Sequence, residues 1–514
     1  MWALLRLPKS KEEGINKQKS AEAIVVIRRR AELKERRKLL DMKKVKSPKR
    51  EVKPLKAHNS RMQRNCKEDL SRVIDLTSEG RTASMASDHL IESVVERGNM
   101  LLAYQKVVRN KGAPGIDRMS VEELKHHLVK SWNQIKVDIL NGEYKPSPVL
   151  RVAIPKPGGG ERHLGIPTVI DRVIQQAVAQ ILEPIFDPGF SKYSYGFRKN
   201  RSAHDAVKQA KAYQVEGKTY VVDLDLEKFF DNVDQDLLMG RIRRKIKDSS
   251  VLKLIRNFLR AGVMINKNVL PTKIGTPQGG PLSPLLSNIM LCDLDNELEK
   301  RGHKFVRYAD DYNIFVGSMT AGRRVMASIT RFIESKLQLK VNRDKSAVDK
   351  PYRRKLLGYN FLPTNPPKIK IAKASIQRLK KNLKPIFRLA RGKALDKVIK
   401  EDLNPKLRGW INYFGLTECP TPLRDLDSWL RHHLRNALWR RWRRTSIRYK
   451  VMKERGLTHD EALTASRALR GSWWSSGTKL FNKAFDLRYF KLMGLISLLE
   501  EWKYHGSSPV LGVN

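Results

Sequence analysis

Two adjacent carboxylates sit inside an apolar run in FVRYADDYNIFVG (305–317), and two more alternate in TYVVDLDL (219–226). Asp310 and Asp311 repel each other and interrupt strand propensity, so an exposed turn is the ordinary account of such a pair. The chemical account is phosphoryl transfer assisted by two divalent ions, which needs carboxylates to hold the ions about 4 Å apart. A hairpin tip supplies Asp310 and Asp311, and a neighbouring strand end must supply a third ligand. Asp223 and Asp225 share one strand face, so periodicity does not choose between them. Asp231, Asp234 and Asp236 read as capping or turn acids.

Other elements must bring a substrate to those acids. RVAIPKPGGGERHLGIPT (151–168) reads as two short strands around a glycine turn, with Lys156 and Arg162 aimed at one place. DRVIQQAVAQILEPIF (171–186) has helical periodicity. GTPQGGPLSPLLSNIMLCDLDNELEK (275–300) is a glycine–proline turn running into a helix. Pro277, Gln278 and Gly279 then form a turn before a helix N-terminus, where backbone can come close to a ligand. From about 370 the pattern is mostly helical. In WLRHHLRNALWRRWRR (429–444), Leu430, Leu434, Leu438 and Trp442 recur on one helix face, as core positions do. Arg431, Arg435, Arg443 and Arg444 fall elsewhere on that helix and are placed to track a phosphate backbone. Trp410 and Tyr413 read as packing residues. His432 and His433 lack partner acids or cysteines at metal-ligand spacing and read as structural.

Charge narrows the class of partner. The 514-residue chain has 102 Lys and Arg against 53 Asp and Glu, a formal charge of +49. An excess that large points to a polyanion, and to nucleic acid before membrane, because neutralised phosphates release counterions. No apolar run approaches the roughly 18–20 residues of a membrane span. The opening MWALLRLPKS is too short in apolar residues for a secretory signal. Cys66, Cys292 and Cys419 are too few and too scattered for a four-cysteine zinc site or a disulfide framework, and they suit a reducing cytoplasm. Residues 1–84 read as a flexible basic extension.

YADD (308–311) resembles the polymerase signature of reverse transcriptases. NKGAPGID (110–117), LGIPTVIDRVIQQA (164–177), SYGFRKNRSAHDAV (194–207), DLEKFFDNVD (225–234) and GTPQGGPLSPLLSNI (275–289) resemble motifs of the group II intron-encoded branch, in order. LNPKLRGWINYF (403–414) resembles the maturase domain of the same proteins. Details are similar to the subgroup C type, which lacks an endonuclease domain. The resemblance implies an α+β right-hand polymerase with fingers and palm over 85–365. An all-α maturase thumb would follow over 366–456, and a C-terminal nucleic-acid-binding segment over 457–514.

By the same resemblance, Asp225, Asp310 and Asp311 bind two Mg²⁺ ions, with the Leu226 carbonyl as a further ligand, which selects Asp225 over Asp223. Lys156 and Arg162 would grip the triphosphate, and Phe230 would exclude a ribose 2′-hydroxyl while Phe229 stays in the core. Lys345 would give a proton to pyrophosphate, and LLGYNF (356–361) would be the primer grip. The implied activity is RNA-directed DNA synthesis together with assistance to intron splicing. The implied partners are group II intron RNA, an RNA template with a DNA primer, deoxynucleoside triphosphates and target DNA, in a bacterial cytoplasm or nucleoid. Two other readings are an intron-free relative serving DNA repair or defence, and an RNA-binding splicing factor without polymerase activity.

Overall fold

The computed structural model describes residues 89–507 except 156–160, 266–267, 273, 391 and 469. The basic extension 1–84 and Lys156 therefore lie outside the described residues. Two four-stranded sheets organise the first part of the chain. One contains β1 (Val149–Pro155) and β2 (Glu161–Ile166), the hairpin expected around the glycine turn, paired antiparallel from Leu150↔Ile166 to Pro155↔Glu161. The other begins with β3 (Tyr220–Leu224). β4 (Val263–Ile265) runs parallel to β1, and β5 (Asn268–Leu270) pairs with β4, so the first sheet has the order β2-β1-β4-β5. β6 (Lys304–Tyr308), β7 (Asp311–Val316) and β8 (Ala347–Asp349) complete the second as β6-β7-β3-β8, all antiparallel. This second sheet answers to the expected palm.

Alternation with a period of two decides what the palm sheet covers. Val222, Leu224, Phe305 and Ile314 enter one core with the helices Val169–Phe186, Ser283–Lys300 and Met319–Phe332. Val221, Val306 and Phe315 enter a second core with the helix Ala203–Val215 and the helices beyond residue 370. The helix Val169–Phe186 starts where its sequence directs. Thr168 caps it by accepting the Asp171 amide, and Val173, Ile174, Ala177, Val178 and Leu182 bury one stripe.

A two-stranded ladder of β9 (Tyr359–Phe361) and β10 (Ile369–Ile371) leads into the helical part. There the helices Lys373–Leu389, Asn404–Phe414 and Thr421–Arg441 share the second core with Phe481, Phe485 and Phe490 from the C-terminal stretch. Among the described residues, no helix is long and apolar enough to cross a membrane.

Candidate active site

Pairing of β6 with β7 runs out to Tyr308↔Asp311, which leaves Ala309 and Asp310 as a two-residue turn. Ala309 takes a left-handed conformation with φ of 59°. A residue with a Cβ reaches that region at a cost of about 1–2 kcal/mol, so the surroundings must hold it there. They do so through Arg307, which is wholly buried. Its guanidinium donates to both carboxylate oxygens of Asp295 (2.6–3.0 Å), to Asn288 Oδ1 (2.8 Å) and to the Ala309 carbonyl (3.0 Å). Tyr312 donates its hydroxyl to Asp295 at 2.9 Å. Burial works against the charge on Arg307, but Asp295, Tyr312 and Cys292 together outweigh it and raise the guanidinium pKa. Gly196, from the SYGF stretch, lies so close that a Cβ there would stand 2.3 Å from the Ala309 nitrogen. Sequence reading missed Arg307, Asp295, Asn288 and Gly196. The only available signal was an arginine inside an otherwise apolar strand.

The third acid comes from the far end of β3. That strand stops at Leu224, two residues short of the expected 219–226, and Asp225 stands just beyond its end. Loop 340–346 is zipped to this point. The Glu227 amide donates to the Lys340 carbonyl (2.8 Å), the Asn342 amide to the Asp225 carbonyl (2.9 Å) and the Asp225 amide to Ser346 Oγ (3.0 Å). Lys345 Nζ lies 3.4 Å from Asp225 Oδ2. Asp223 is engaged elsewhere, in an ion pair with Arg354 at 2.6 Å.

Asp310 and Asp311 are both raised, in part by neighbouring acids. Asp310 is raised above the usual carboxylate range by burial and then by Asp225, with Arg162 and Arg307 working against the rise. Asp311 keeps contact with solvent, yet the surrounding walls crowd its carboxylate. Burial, then Asp310, Asp225 and Asp223, push it up to about 7. A nearby cation would relieve the rise in Asp310 and Asp311, and carboxylate oxygens suit a hard divalent ion. As they stand, no three acids among the described residues are grouped closely enough to hold one.

Beside the acids opens a cleft of roughly 850 Å³ lined by Asp225, Leu226, Asp310, Arg162, Phe230, Pro277, Gln278 and Lys345. Phe230 is half-buried, whereas Phe229 is packed into the core, 2% exposed. The 277–279 turn is fastened to β2, because the Gly165 amide donates to the Gln278 carbonyl at 2.7 Å. A Cβ on Gly279 would lie 2.4 Å from the Gly165 carbonyl oxygen, and its φ of +132° also demands glycine. Thus the cleft unites Arg162, Asp225, Leu226, Phe230, Pro277, Gln278, Asp310 and Lys345, with Asp311 and Gly279 adjoining it. LLGYNF (356–361), by contrast, is absent from its lining and puts Leu356, Tyr359 and Phe361 into the second core.

The helical part requires a correction. Arg435 does not face a phosphate backbone. It is 7% exposed and donates to the Phe485 carbonyl at 3.2 Å, because the C-terminal helices cover a second face of its helix. Burial, with Arg431 adding to it, pulls its guanidinium down to about 10. The helix ends at Arg441, so Trp442 is not on its face. Trp442 packs instead against Phe481 and Phe485, and Arg443 and Arg444 are exposed in the following turn. Arg431 is partly exposed. Sequence reading also passed over the helix Lys373–Leu389, which buries Leu379, Leu383, Ile386 and Phe387 and exposes Lys373, Arg378, Lys381, Lys384 and Arg388.

Residues 154–361 match the family of reverse transcriptases (RNA-dependent DNA polymerases), and residues 376–456 match the group II intron maturase-specific domain. Protein YkfC of Escherichia coli is 30% identical over 52% of this chain and 80% of its own. The group II intron-encoded protein LtrA of Lactococcus lactis is 30% identical over 61% of this chain and 68% of its own. With both domains matched and LtrA covered over 68% of its length at 30% identity, the chain belongs to the group II intron-encoded reverse transcriptases that carry a maturase domain.

Proposed function

We infer that the cleft extends a DNA primer on an RNA template, with Asp225, Asp310 and Asp311 holding two Mg²⁺ ions. The supporting observation is that Asp225 from the end of β3 and Asp310 from the hairpin tip line one cleft with Arg162, Phe230, Gln278 and Lys345, and both contribute to the rise in the adjoining Asp311. When bound, the ions would activate the primer hydroxyl and offset charge on the leaving pyrophosphate. Arg162 offers a guanidinium to the triphosphate of an incoming deoxynucleotide. The 277–279 turn, which the glycine lets pack against β2, would present its backbone to the base pair. Lys345 is placed to give a proton to the departing pyrophosphate.

Phe230 tests this reading. Its half-buried ring forms one wall of the cleft, where a sugar 2′-hydroxyl would meet it. Phe230→Ala should raise ribonucleotide incorporation roughly tenfold or more, with modest loss of deoxynucleotide use. Single-nucleotide incorporation on an RNA template measures both. An unchanged sugar preference would mean that Phe230 only packs.

The helical domain supplies the grip on intron RNA, through Arg443, Arg444 and the basic face of Lys373–Leu389. Target DNA would engage the C-terminal segment 457–514. Replacing Arg443 and Arg444 together with alanine should make the salt dependence of RNA binding shallower by roughly 1.5 units of slope. Arg435→Met should leave the slope unchanged, since that side chain is buried. Filter binding at several salt concentrations distinguishes them. A changed slope only in Arg435→Met would reverse the assignment.

A further inference from the structure

The lysine of the cleft is exposed over 62% of its side chain and rides on a loop, yet it points at Asp225. Something must keep it there, because a free lysine side chain samples many rotamers. Arg354 is the clasp. Its Nε and Nη2 both reach Asp223 Oδ2 (2.8 and 2.6 Å), and Nη2 also donates to the Lys345 carbonyl at 2.7 Å. One guanidinium thus ties β3, two residues before Asp225, to the backbone of the residue that faces it. The far side of the clasp is anchored as well. Asn360 on β9 donates to the Arg354 carbonyl at 3.0 Å.

The geometry points to Arg354 as a positioning residue for Lys345, acting through Asp223. The clasp fixes the loop on which Lys345 stands, and it neutralises Asp223 so that this acid does not compete with Asp225 for cations. This explains why two acids on one strand face have separate tasks. The inference rests on the reading that Lys345 acts on the pyrophosphate.

A double-mutant cycle tests both parts separately. Lys345→Met should slow single-nucleotide incorporation at saturating nucleotide by roughly a hundredfold. Arg354→Gln should slow it on the order of tenfold, with KM for nucleotide and RNA affinity nearly unchanged. In the Lys345→Met background, Arg354→Gln should add less than about twofold, since nothing remains to be positioned. Asp223→Asn, which keeps the side-chain volume, should reproduce the Arg354→Gln pattern if that variant folds poorly. Wild-type rate in Lys345→Met would remove the reading of the lysine itself. A slow Lys345→Met with Arg354→Gln losses that multiply independently would keep that reading and overturn the clasp.

Discussion

Asp310→Asn should extend a DNA primer on an RNA template about a thousand times more slowly than the parent protein, while binding RNA equally well. A thousandfold is about 4 kcal/mol of transition-state stabilisation, the scale expected when a metal ligand is lost. The substitution is nearly isosteric, and the turn is held by Arg307 and the closely packed Gly196 backbone. The hairpin should therefore keep its shape. RNA affinity should persist because the exposed basic residues lie on other elements, at Arg443, Arg444 and along Lys373–Leu389. Primer extension and filter binding on the same preparation separate the two effects. Extension at the parent rate would remove Asp310 from the chemistry.

The second large effect concerns stability. Asp295→Ala should destabilise the protein by about 3–5 kcal/mol, because it leaves Arg307 charged, wholly buried and without its partner. The Tyr312 hydroxyl loses its nearer acceptor at the same time and keeps only the Leu291 carbonyl at 3.4 Å. Loss should concentrate at the β6–β7 hairpin, so amides of that ladder should exchange faster than those of the helical half. Asp295→Asn retains the volume and part of the hydrogen bonding, and should cost less. Denaturant unfolding with hydrogen exchange reads both. An unchanged midpoint in Asp295→Ala would show that Arg307 finds another partner.

How far the sequence announced this site follows from where each signal lies. Asp310 and Asp311 were legible because an apolar run on either side defined the hairpin, and the 277–279 turn because glycine and proline punctuate it. The different partners of Asp223 and Asp225 were not legible from alternation, since Asp223 meets Arg354, more than a hundred residues away, and Asp225 meets Lys345. Arg307 and Asp295 were invisible for a similar reason, since the strand and the helix that carry them show no shared pattern until they pack. Arg435 misled because helical periodicity reveals one apolar face, while the cover over its other face is supplied by Phe485 and its neighbours.

The decisive quantity is the number of divalent ions held by the three acids. Mn²⁺ binding to the full protein, complexed with an RNA template, a chain-terminated DNA primer and the matching deoxynucleotide, can be counted by electron paramagnetic resonance. Two tightly bound ions per chain are predicted for the parent, with at least one lost in Asp310→Asn and in Asp225→Asn. An identical count in the parent and both variants would contradict the assignment of Asp225 and Asp310 as ligands, whatever the variants' rates of extension.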